Sequence, residues 1–202
     1  MKSSTSKAFW YTTLAAGAAT APGVDGAIQY TDLNPDQTAS IITWDLDNGG
    51  TPDFRLEVVS GTNEKSNLVP VPGGNAAGIV QTVNSNADRM VAGEVIGGAA
   101  SFSNAGDTRT LFNEENPGNY DWSVGSRGFL GLRINLGNTH YGWADVSINP
   151  VAGSSFNHTL HGYAFENVAD TAILAGAVPE PSMATLLIAG AAGVGAMRRR
   201  RK

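Results

Sequence analysis

The 202-residue chain has no cysteine. Disulfides, thiolate catalysis and cysteine metal sites are therefore excluded. Lysine is nearly as scarce, with only Lys65 between Lys7 and Lys202. The middle of the chain has no sustained helical spacing of apolar residues. Pro35, Pro52, Pro70, Pro72, Pro117 and Pro150 recur there, with many of the 25 glycines between them, and such breakers exclude a long amphipathic helix. No Gly-x-Ser-x-Gly elbow, phosphate loop, dinucleotide fingerprint or His-Glu-x-x-His pair occurs, so no local catalytic signature is present. No internal repeat suggests a solenoid or propeller.

What the chain does have is most distinctive at its end. Val178-Pro179-Glu180-Pro181-Ser182 is followed by Met183–Met197, which carries no charge, and then by Arg198, Arg199, Arg200, Arg201 and Lys202. The two prolines favour a short extended segment. An apolar run closed by cations is the pattern of a membrane segment whose cationic end stays in the cytoplasm. The run is shorter than the roughly 20 residues of an ordinary span. Snorkelling arginine stems extend it. A buried core helix seldom ends on five adjacent cations, so a transmembrane helix over 183–197 is the expectation.

These residues resemble the PEP-CTERM sorting signal of bacterial exported proteins. Pro179-Glu180-Pro181, the apolar segment and the arginine cluster match it in order. The resemblance implies recognition by an exosortase-like membrane protease that cuts near the Pro-Glu-Pro motif. It further implies transient membrane anchoring, then a place at the cell surface or in the extracellular matrix. An export signal should then open the chain. Lys2 and Lys7 precede the mostly apolar stretch Ala8–Ala21, and small residues follow. Residues 1–26 are accordingly expected to be a signal peptide, cut somewhere in 21–27.

Residues 27–177 remain as one domain. They hold six cations against sixteen acids, a net charge near −10. Such a surface repels nucleic acid and tolerates cations. Apolar residues alternate in Ser40–Leu46, Asp53–Val59, Gly128–Leu136, His140–Asn149 and Leu160–Phe165. That is the signature of half-buried strands. Weaker strands are expected at Ile79–Val83, Met90–Ile96 and Tyr120–Val124, a hairpin turn at Gly137-Asn138, and long or short loops at Gly61–Ala77, Asn84–Ala87 and Asn113–Asn119. The expected fold is an all-β antiparallel sandwich, in a jelly-roll form. A second, more diffuse resemblance to PEP-CTERM proteins lies in Trp44–Phe54, Tyr141-Gly142-Trp143 and Gly162–Glu166. It implies no particular activity.

Four groups invite a functional reading. Asp45, Asp47 and Asp53 stand at loop positions 1, 3 and 9, a spacing that converges oxygens on calcium. Gly49 and Leu56 leave positions 5 and 12 without a ligand, and an Asp-rich turn that solvates itself is the plainer reading. Tyr141, Trp143 and Tyr163, with Phe165, could form an aromatic face for a glycan, although most such residues in a sandwich are core. His158 and His161 fall on opposite faces of a strand and should not share a metal; His158 is expected in a polar turn. Glu114 and Glu115 are adjacent on a loop, where two carboxylates seldom flank one glycosidic bond. The chain thus reads as an exported protein with a structural or adhesive role in an envelope or biofilm. It is expected to be no enzyme. The alternatives are a carbohydrate-binding module and, behind it, a glycan-active hydrolase.

Overall fold

The computed structural model describes residues 28–179 except 62 and 153–155. The expected signal peptide and the apolar run 183–197 lie outside the described residues. Among those described, no helix is long and apolar enough to cross a membrane. Eleven strands follow in order: β1 Ile28–Ala39, β2 Ile41–Trp44, β3 Phe54–Val59, β4 Lys65–Pro70, β5 Ala76–Ile79, β6 Val95–Ile96, β7 Arg109–Asn113, β8 Arg127–Asn135, β9 Thr139–Pro150, β10 Phe156–Glu166 and β11 Ile173–Leu174. The one helical piece among them is a 3₁₀ turn at Pro117–Asn119.

All strand pairs are antiparallel. One sheet has the order β1-β10-β9-β8-β5, another β2-β3-β4-β7, and β6 pairs with β11. The alternating residues explain the layering. Ile42 and Trp44 of β2, Phe54 and Leu56 of β3 and Leu68 of β4 are buried in one cluster. Leu130, Leu132 and Ile134 of β8, Ala144, Val146 and Ile148 of β9, and Leu160 of β10 belong to the same cluster. Two sheets facing one another across a shared apolar core is the layering of a sandwich. Trp122 enters that core from a loop and is fully buried.

The jelly-roll order expected from the alternation is not the order observed. β2-β3-β4 and β8-β9-β10 are meanders, whereas a jelly roll is built of Greek keys. Tight connections decide this. The turn after β8 places Gly137 at φ 89°, and so short a link can only deliver the next strand to its neighbour's edge.

Several local readings also change. The segment Gly61–Ala77, read as a loop, contains β4. Its inward residues Ser66, Leu68 and Pro70 include only one strongly apolar side chain, so alternation there is faint. The edge strand β1 escaped notice because it is polar and mostly exposed, and β7 lay in no expected strand. Tyr120–Val124 forms no strand, and Met90–Ile96 is reduced to β6 and a single bridge from Met90 to Phe129.

The five-stranded sheet is also partly covered on its outer face. A second cluster there joins Tyr141 and Trp143 of β9, Ala164 of β10, Val80, Met90, Ile96, Ile173 and Ala175. The excursion between β5 and β7 and the strap that carries β11 form this cover. It makes β9 buried on both faces over much of its length.

Candidate functional site

The turn between β2 and β3 draws Asp45, Asp47 and Asp53 together. One oxygen from each lies within 4.8 Å of the others. Their other neighbours are backbone and amide N–H groups. Asp45 accepts from Gly49 N at 3.1 Å and Gly50 N at 2.5 Å. Asp47 accepts from Gly49 N and from Asn75 Nδ2, each at 2.7 Å. Asp53 accepts from Leu46 N at 2.8 Å and Asn75 N at 2.5 Å. Asn48 and Gly50 take positive φ to wrap the chain around these carboxylates. A Cβ on Gly49 would stand 2.7 Å from Asp47 Oδ1, so a larger residue there would displace the carboxylate that accepts from Gly49 N. Asp53 is fully buried. Burial pushes its carboxyl above the usual range, the Asn75 and Leu46 amides pull it back, and Asp47 and Asp45 push it further up. The carboxylates thus hold the turn and tie it to the loop before β5. A calcium ion would have to share oxygens already engaged.

The aromatic residues do not form one exposed face. Tyr141 and Trp143 lie in the outer cluster, whereas Tyr163 and Phe165 lie in the core between the sheets. The ladder makes this necessary, because Tyr163 is opposite Ala144 and Trp143 opposite Ala164, so Trp143 and Tyr163 point to opposite sides. All four are less than a tenth exposed. A sugar-stacking platform of Tyr141, Trp143 and Tyr163 is therefore not assembled. Glu114 and Glu115 remain exposed, side by side, ahead of the 3₁₀ turn.

His158 is not in a turn. It lies in β10, fully buried, with Nε2 2.7 Å from Ser66 Oγ on the opposing sheet. Burial lowers its pKa to about 4, against a smaller opposite pull from the Ser40 backbone. Asp88 and Asp121, 33 residues apart, also meet. Burial raises the Asp88 carboxyl, and the neighbouring Asp121 carboxylate raises it further.

The outer face of the five-stranded sheet holds a constellation that the sequence did not show. Ser147 Oγ lies 2.8 Å from His161 Nε2, and His161 Nδ1 lies 2.6 Å from Asp36 Oδ2. The three come from β9, β10 and β1. His161 falls at a register shift between Leu160 and Gly162, and Asp36 falls within another between Asp32 and Gln37. A bulge re-aims a side chain, and here two irregular stretches on adjacent strands meet. No signal in the sequence links Asp36 to His161, because their contact depends on the pairing of β1 with β10. Arg127, the cross-strand partner of Ser147, forms a bidentate pair with Asp145 at 2.9 and 2.7 Å.

The body ends on this same face. In the strap, Ile173 and Ala175 are buried, and Gly93 N donates to Ala175 O at 2.9 Å. Trp143 Nε1 donates to Ala177 O at 3.1 Å. Gly176 takes φ 78°, and a Cβ there would meet the Phe129 ring at 2.8 Å. Val178 and Pro179 are exposed just beyond. The aromatic residues thus serve as a clasp on the chain where it leaves the body.

The comparisons with known proteins bear on that exit. The family model of the PEP-CTERM protein-sorting motif matches residues 177–202. No curated protein and no solved structure matches the chain. The described residues thus form an all-β body, and the chain carries the sorting signal of an exported protein. More particularly, the signal is of the PEP-CTERM kind, which exosortase, a membrane protein, recognises. Export and transient membrane anchoring follow from that motif.

Proposed function

We propose that the folded body is a structural or adhesive module, displayed at the cell surface or in an extracellular matrix after its sorting signal is removed. The clasp at the exit is the observation that carries this reading. Trp143 holds the Ala177 carbonyl, and the sorting motif begins at that same residue. The folded body, as far as it is described, thus runs up to the first residues of the motif. The excess of acids over cations in residues 27–177 keeps that body soluble and favours cation-bridged contact with anionic matrix polymers. The carbohydrate-binding alternative loses its aromatic platform, because those rings are core. The test is retention of the purified protein on the exopolysaccharide of the producing cells, with and without millimolar divalent cation. Cation-dependent retention supports the matrix role. Equal elution under both conditions, with no material in the matrix fraction of the cells, contradicts it.

A further inference from the structure

We propose that Ser147, His161 and Asp36 form an acyl-transfer site for short-chain carboxylic esters, on the polar part of the sheet's outer face, where Ser147 is 9% exposed beneath the two partners. The hydrogen bonds run in the order such chemistry needs, from nucleophile through base to orienter. Ionised Asp36 can only accept, so His161 Nδ1 carries a proton and donates it. The neutral ring then has a lone pair on Nε2, and Ser147 Oγ must donate to it at 2.8 Å. No other assignment of a neutral imidazole satisfies both contacts.

The surroundings suit the reaction. His161 and Asp36 keep 18% and 47% of their side-chain surface open, so the base is reachable from solvent. Arg127 and Asp145 also line an open pocket of about 340 Å³ whose apolar wall is made by Met90, Val91 and Phe129. Asp145 is two residues from Ser147 on the same face of β9, a separation of about 7 Å. The pocket lining stops at Asp145 and Arg127, so an ester with its apolar group there must reach about 7 Å along β9 to bring its carbonyl to Ser147. The Arg127 guanidinium lies on the same face, held in a bidentate pair by Asp145, and its backbone is the cross-strand partner of Ser147.

The step balances with water as the only co-reactant. Ser147 Oγ bonds to the ester carbon as its proton passes to His161 Nε2. The ester C–O bond then breaks, and the alcohol leaves with that proton. Water attacks the acyl-serine, giving one proton to Nε2. The acyl–Oγ bond breaks, the proton returns to Oγ, and a carboxylic acid departs. Ser147 and His161 are the catalytic residues, and Asp36 is a positioning residue. The signatures absent from the sequence are local ones, and this constellation is not local.

The test uses the full chain with a fluorophosphonate and with p-nitrophenyl acetate and butyrate. The expected result is one phosphonyl adduct, mapped to Ser147, and ester turnover that the adduct abolishes. Ser147→Ala and His161→Gln should each lower kcat by about 10²-fold or more. Asp36→Asn should lower kcat with KM unchanged, a split that a merely structural role would not give. Label spread over several serines, or none on Ser147 in the unmodified protein, overturns the proposal. So does turnover that persists in a folded Ser147→Ala variant. Because labelling needs no variant, the result stands even if a substitution unfolds the chain. Loss of sorting in cells leaves this readout untouched, so the two readings fail separately.

Discussion

Two halves of one sheet face have opposite fates. Around Trp143 the outer face of β8, β9 and β10 is apolar and covered. Phe129 packs edge-on to Trp143 at 5.3 Å, Tyr30 lies at 5.7 Å, and the strap closes over them. Four to six residues further along β9, the same face is polar and only partly covered, with His161 and Asp36 partly exposed over a buried Ser147. There Ser147 meets His161, and Asn149 Nδ2 donates to Thr159 Oγ1 at 2.7 Å. The two halves lie on either side of a register shift between Leu160 and Gly162, and their side-chain chemistry differs: aromatic surface recruits cover, and a hydrogen-bonded polar row does not need it. The covered half anchors the exit of the chain, and the other half holds the hydrogen bonds that join Ser147, His161 and Asp36.

The sharpest way to break this contrast is truncation on each side. Trp143→Ala should destabilise the protein by about 3–5 kcal/mol in chemical denaturation, whereas Ser147→Ala should stay within about 1 kcal/mol. Similar losses would mean that the polar half is as structural as the covered one. Trp143→Phe keeps the ring and removes the bond to Ala177, an intermediate loss of about 1 kcal/mol. It should speed proteolytic cleavage around residues 173–177.

The two histidines of β10 sharpen the contrast further, because His158 faces the core and His161 the polar outer face. The folded pKa of His158 is about 4, below its ordinary 6.5. Below pH 6.5 the unfolded chain binds a proton that the folded chain refuses until about pH 4. Its contribution is complete above 6.5 and is lost as the pH falls to about 4. The loss amounts to about 3 kcal/mol. Denaturation curves between pH 7 and 4 should show this fall, and His158→Gln should flatten it. An unchanged slope in that variant would assign acid sensitivity elsewhere.

The smallest effect is expected at the β2–β3 turn. With its carboxylates already held by N–H donors, a weak calcium site of about 10⁻³ M would raise the melting temperature by only about 1 °C at 1 mM. A shift of many degrees, abolished by Asp47→Ala, would make the turn a true calcium loop.

Legibility followed locality. Trp44, Phe54, Leu56, Leu132 and Val146 announced their strands because alternation is written within a few residues. The Asp45–Asp53 turn was legible for the same reason, and so was the sorting motif. β4 and β1 were not, since inward Ser66 and a polar edge blur the period. The aromatic strands were found, but the side each ring faces depends on pairing partners far along the chain. Ser147, His161 and Asp36 needed two strand pairings and two register shifts before they could meet, and no spacing records that. His158 looked like a turn residue because its apolar setting is supplied by the opposing sheet.

The account rests on a cargo whose folded body ends where its sorting signal begins. Mass spectrometry of the native, fully exported protein tests this most directly. The predicted product begins between residues 21 and 28 and lacks everything beyond Pro181, with the Trp143-held strap intact. An exported protein that still carries Arg198–Lys202 would contradict it and leave the signal as a membrane anchor alone.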